Sequence, residues 1–163
     1  PGRVGNDRGD GEGKDSADVK QYGEMRTRST IRIEQEMFRS LEDLMGKTIK
    51  GNFFLSGMRP DNAETEDAVL TVSFADAGQF EQGKARLNIF VPNIDCGFPS
   101  KVADKARLEQ LASVDESVID TLNEADTDYL FELSQATQTF QVQGKDESFV
   151  NITIAFKLVT FND

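Results

Sequence analysis

The chain has 163 residues, with 18 Lys+Arg against 29 Asp+Glu (net charge −11), one Cys and no His. The absence of His excludes Ser-His-Asp and Cys-His nucleophilic machinery and His-based zinc sites, and a lone Cys excludes an internal disulfide. The acidic balance argues against a broad grip on nucleic acid, and no run of about 18 apolar residues is present to span a membrane.

Residues 1–28 hold 6 of the 13 Gly and few bulky apolar side chains. Their six basic and six acidic residues cancel, so the whole −11 falls on 29–163. A stretch this polar buries too little surface to offset its ordering entropy, which predicts a flexible extension able to order against a partner subunit. Residues 29–163 are expected to form one α+β domain, a length within the ordinary range for a single core.

Ile33, Met37, Leu41, Leu44 and Met45 recur at helical spacing and predict a first helix over 30–45, with Gly46 just past its end. A β-rich segment follows at 47–55, interrupted by Gly51, then a polar loop and a strand at 68–74. In 84–91, Ala85, Leu87, Ile89 and Val91 alternate with Lys84, Arg86, Asn88 and Phe90, a strand with one buried face that Pro92 ends. Leu108, Leu111, Val118, Ile119 and Leu122 predict a second helix over 100–124, with a weak point near Ser113. Asp115, Glu116, Asp120 and Glu124 fall off its apolar stripe. A short strand at 129–133, continuing toward Phe140 and Val142, a turn at 143–146 and a strand at 149–161 complete the chain. In that last strand Val150, Ile152, Ile154, Phe156 and Leu158 share one face. The order α-β-β-β-α-β-β predicts a mainly antiparallel sheet with two helices on one face.

No residue cluster commands a specific chemistry. Asp61, Glu64, Glu66 and Asp67 lack the ligand order of a calcium loop and read as a solvated acidic loop. Paired carboxylates also serve glycosidases, but those need a sugar-stacking cleft, and the chain has no Trp. Cys96 reads as a partly buried bystander, and the glycines of 9–13 lack the strand and helix of a phosphate loop. Arg26, Arg28, Arg32 and Arg39 form a local basic stripe, read as surface charge with some fitness to dock an acidic neighbour. No metal or cofactor is expected.

Three segments in this order carry a resemblance: GMRPDNAETEDAVL (57–70), QGKARLNIFVPNID (82–95) and TFQVQGKDESFVNITIAFKL (139–158). Together with the flanking helices they resemble the tail-terminator and tail-completion proteins of tailed phages and prophages, over about residues 30–161. The extension 1–28 has no counterpart in that pattern. The resemblance implies a structural protein without catalytic residues, in a ring, commonly hexameric, that caps the tail tube and joins it to the head-side connector. It would be assembled in the host cytoplasm and reside in the virion tail, with DNA passing the lumen unbound, as an acidic surface favours. A closed ring needs a heterologous interface. The segments 57–67 and 76–83 are the candidate patch, with Arg59, Asp61, Glu66, Asp67 and Lys84 as candidate inter-subunit contacts. Alternatives are a head–tail connector or neck component, a small non-enzymatic binding domain marked by a concave apolar pocket, and an enzyme using carboxylates alone.

Overall fold

The computed structural model describes residues 30–74, 81–125 and 127–159. The extension 1–28, with Arg26 and Arg28, lies outside them, as do residues 76–80 of the candidate patch and the end of the last predicted strand.

Helix α1 (Thr30–Thr48) is followed by β1 (Phe53–Leu55), β2 (Asp67–Phe74) and β3 (Gln82–Pro92). Two short helices, α2 (Lys105–Ala112) and α3 (Asp115–Glu124), lead to β4 (Tyr129–Leu133), β5 (Gln138–Gln141) and β6 (Glu147–Leu158). The strands form one sheet in the order β1-β2-β3-β6-β4, with β5 also paired to β6. Only β1 and β2 run parallel; every other pairing is antiparallel. The α+β architecture is thus the one the sequence order predicts.

Strand alternation decides which side of the sheet is covered. Leu70 and Val72 of β2, Ala85, Leu87, Ile89 and Val91 of β3, and Val150, Ile152, Ile154 and Phe156 of β6 are buried beneath the helices. Each helix contributes one apolar stripe: Ile33, Met37, Leu41 and Met45 from α1, Leu108 and Leu111 from α2, Val118 and Leu122 from α3. The opposite face carries the alternate residues and has no layer packed on it among the described residues.

Strands β2, β3 and β6 begin one or two residues earlier than expected, and larger differences lie elsewhere. Helix α1 runs through Gly46 to Thr48, and Ile49 N–H still donates to the Met45 carbonyl at 3.0 Å. The extra turn lets both Met45 and Ile49 reach the core. What remains of the predicted 47–55 strand is Phe53–Leu55, where Phe53 stacks on Phe38 of α1 with ring centroids 4.2 Å apart. The second predicted helix is two, divided at Ser113–Val114 where the sequence has its weak point, and it begins at Lys105 rather than residue 100, with Asp104 accepting a hydrogen bond from Arg107 N–H as its N-cap. Finally, β4 and β5 lie end to end along one edge of β6, opposite Ile154–Leu158 and Ser148–Asn151 respectively.

The exposed edge of β4 is covered by a side chain. Asn123 of α3 donates its Nδ2 to the Phe131 carbonyl and accepts the Phe131 N–H at Oδ1, both at 2.8 Å. The amide takes the place a neighbouring strand would fill, which blunts that edge against strand addition.

Candidate functional site

Two charged clusters fasten the polar loop before β2, and they take up two of the four carboxylates of the acidic loop, Glu66 and Asp67. Arg59 lies between Asp67 and Glu147. Its Nε donates to Asp67 Oδ2 at 3.0 Å, its Nη2 to Glu147 Oε2 at 2.7 Å and to the Thr65 carbonyl at 3.1 Å. Its guanidinium sits 4.3 Å from the centroid of the Phe90 ring. The Asp67 and Glu147 side chains are 1% and 3% exposed, so these charges are out of water. Lys145 adds hydrogen bonds to the carbonyls of Asp61 and Ala63 and lies 3.5 Å from Glu147 Oε1. The loop is thereby tied to the β5–β6 hairpin.

In the second cluster Arg107 of α2 donates Nη2 and Nε to the two oxygens of Glu66, at 2.7 and 2.9 Å, a bidentate pair. The same Nη2 reaches the Thr48 carbonyl at 2.8 Å, and Lys50 N–H donates to Glu66 Oε1. One carboxylate therefore joins the end of α1, the start of α2 and the entry to β2. The backbones approach so closely here that a Cβ at Gly51 would overlap the Glu66 carbonyl and the Asp67 carboxylate.

Electrostatics fix the protonation of these groups. Burial pushes the Glu66 and Asp67 carboxyls up, but hydrogen bonds outweigh it and hold both below their ordinary values. For Glu66 the donors are Arg107 and Lys50 N–H; for Asp67 they are Asn52 N–H, Thr65 and Arg59. Burial lowers Arg59, yet Glu147 and Asp67 raise it on balance, and Glu66 raises Arg107. Fully ionised, arginine-paired carboxylates suit structural fastening and not proton transfer near neutral pH. Desolvation raises the half-buried Glu34 carboxyl, partly offset by a hydrogen bond with the Val72 backbone.

Arg59, Glu66 and Asp67, expected on a subunit-facing patch, are therefore committed to partners within the chain. The solvated-loop reading holds for Asp61 and Glu64, which are exposed, and fails for Glu66 and Asp67, which are buried. Among the described residues no group of three His, Cys, Asp or Glu could hold a metal ion. Cys96 is exposed rather than partly buried. Arg32 pairs with Glu36 on α1 at 3.4 Å.

Lys84 lies elsewhere, on the open face of the sheet. There it stands with two cations not singled out from the sequence, Arg86 on the same strand and Lys157 on β6. All three are exposed. They line a groove of about 520 Å³ together with Ala155, Leu130 and Glu132 of the same face and the backbone of Gly83. Farther along the same face, Phe90, Phe149 and Phe140 form a ladder of rings with centroids 5.4 and 5.3 Å apart. The alternation of β3 and β6 signals which residues share this face. The Arg59–Glu147 and Arg107–Glu66 pairs join residues 88 and 41 positions apart, which no local pattern announces.

No family model and no curated protein matches the sequence. Solved structures do match, and one of them superposes with a TM-score of 0.41 at 14% identity, over 84% of this chain and 99% of that one. A likeness of that size carries no argument about function.

Proposed function

We propose that this chain is a structural protein of a tailed-phage or prophage virion, similar to tail terminators. In this reading it assembles as a ring on the tail tube and offers a surface to the head-side connector. One observation carries the reading beyond the sequence resemblance. The three resembling segments build adjoining parts of the sheet, β2, β3 and the β5–β6 hairpin. The side chain of Arg59 ties the loop of the first segment to Glu147 in the third while lying over Phe90 in the second. The segments thus form one mechanical unit rather than three separate likenesses.

The deciding experiment is the solution mass of the full chain over a wide concentration range, alone and with the tail-tube protein of the same genome. A discrete species of several 18.1-kDa chains in either condition is the expected result. A monomer in both overturns the reading. The groove on the open face favours a second reading, a small ligand-binding domain. That reading requires a monomer or dimer whose thermal stability rises on adding a small molecule.

A further inference from the structure

The open face of the sheet and the outer face of α3 carry opposite unpaired charge. Lys84, Arg86 and Lys157 have no salt-bridge partner among the described residues. They sit on β3 and β6, both flanked by strands on each side, in a chain whose net charge is −11. On the helical layer, Glu116, Asp120 and Glu124 recur every fourth residue and are exposed, opposite the buried Val118 and Leu122. None has a cationic partner among the described residues, and the last turn of α3 holds no basic residue. Like charges four apart weaken a helix, and carboxylates at its C-terminal end oppose its dipole. Glu116, in the first turn, suits the helix dipole, but the three like charges repel one another and Glu124 opposes the dipole.

The spacings agree. Lys84 and Arg86, two residues apart on one strand, are separated by about 6.7 Å. Lys157 lies diagonally across from Lys84, since Lys84 faces Ala155 and Lys157 faces Gln82; such diagonal neighbours are about 7–8 Å apart. The acidic stripe advances about 6 Å per four residues. Three cations in a near-linear row therefore meet three carboxylates of closely similar repeat. The small side chain of Ala155, opposite Lys84, leaves room between the longer side chains of this face to seat a helix edge. Glu132 on the rim is the one carboxylate there, and the groove stays net basic.

We infer that a second copy of this chain docks the Glu116–Asp120–Glu124 face of its α3 on the Lys84–Arg86–Lys157 groove of the first. The two faces are different patches of one subunit, on α3 and on β3 with β6, so the contact is heterologous and repeats from copy to copy, as ring formation requires. The inference rests on the ring reading and supplies its interface.

Two triple reversals test it. Lys84→Glu/Arg86→Glu/Lys157→Glu makes both faces acidic, and Glu116→Lys/Asp120→Lys/Glu124→Lys makes both basic. Each alone should stay monomeric by sedimentation velocity where the wild type assembles, with association weakened about 100-fold or more. Mixed in equal amounts, they should regain the wild-type mass, because every contact in an alternating ring again joins opposite charges. Circular dichroism confirms that each variant is folded. Should either fail to fold, Lys84→Gln/Arg86→Gln/Lys157→Gln takes its place and should weaken association at least tenfold. If the wild type assembles and a reversed variant does so equally well, or the mixture remains monomeric, this interface is overturned and the ring reading stands. A wild type that stays monomeric, alone and with tail-tube protein, overturns the ring reading and this interface with it.

Discussion

Replacing Arg59 with Met removes the cation between two buried carboxylates while keeping much of the apolar stem. Asp67 would keep the Asn52 N–H at 2.8 Å and the Thr65 hydroxyl at 2.7 Å. Glu147 would keep only Lys145, at 3.5 Å. Breaking a buried pair from one side costs about 3–5 kcal/mol, because the remaining charge stays out of water. Against a typical total of about 5–15 kcal/mol, that is a large share, and it should lower Tm by roughly 10–20 °C. Urea unfolding followed by circular dichroism at neutral pH measures it. The acid limb supplies a second check. The folded Asp67 carboxyl lies below its unfolded value, so its contribution is present above about pH 4 and is lost as pH falls through the folded value. Arg59 supplies part of that shift, so the stabilities of wild type and variant should converge as the pH falls. Adding Glu147→Gln to Arg59→Met should recover much of the loss at neutral pH. A loss below about 1 kcal/mol at pH 7, the size of an exposed pair, would refute the claim that these charges are desolvated.

Four further substitutions have outcomes fixed by the structure. Glu66→Gln leaves Arg107 without its carboxylate and should cost about 1.5–3 kcal/mol at neutral pH. Because the folded Glu66 carboxyl is also lowered, the wild type loses this advantage below about pH 4 and the variant's acid-unfolding curve should be flatter. Asn123→Ala removes both hydrogen bonds to Phe131, costs about 1–3 kcal/mol, and should raise aggregation during thermal unfolding, read by light scattering. Gly46→Ala, exposed within α1 with nothing within 4 Å of its Cβ position, should stabilise by about 0.5–1 kcal/mol. Gly51→Ala should destabilise by about 1–3 kcal/mol, since backbone must shift to admit a methyl group. Equal effects at the two glycines would contradict the close approach at Gly51.

Strands β2, β3, β4 and β6 were legible because each has one covered face, whereas β1 and β5 have none that is fully buried. Ala85, Leu87, Ile89 and Val91, and the corresponding positions of β6, alternate in sequence as they do in burial. Helix ends were less legible. Gly46 marks a stop by propensity, but burying Ile49 with Met45 favours another turn, and tertiary packing prevails over a weak local preference. Glu66 and Asp67 read as solvated because their neighbours are polar. Their burial depends on Arg107 and Arg59, and Asp67 reaches Arg59 across a loop whose course sequence does not specify. The candidate contacts therefore divided: Arg59, Glu66 and Asp67 fasten the fold, whereas Lys84 lies on the open face.

Cations on a sheet have an ordinary explanation, protection of unpaired edges from strand addition. That explanation does not reach Lys84, Arg86 or Lys157. Their strands, β3 and β6, are interior to the sheet, and the edge strand β4 is already capped by Asn123. Strand alternation requires only that these positions be tolerant of water, which Ser, Thr or Glu would satisfy equally well. Nor does solubility select Lys and Arg here, since added cations bring a −11 chain closer to neutrality. Under the ring reading, an acidic surface on a second copy supplies a physical reason for a basic groove. The chain itself presents one in the Glu116–Asp120–Glu124 stripe, whose like charges repel one another along α3.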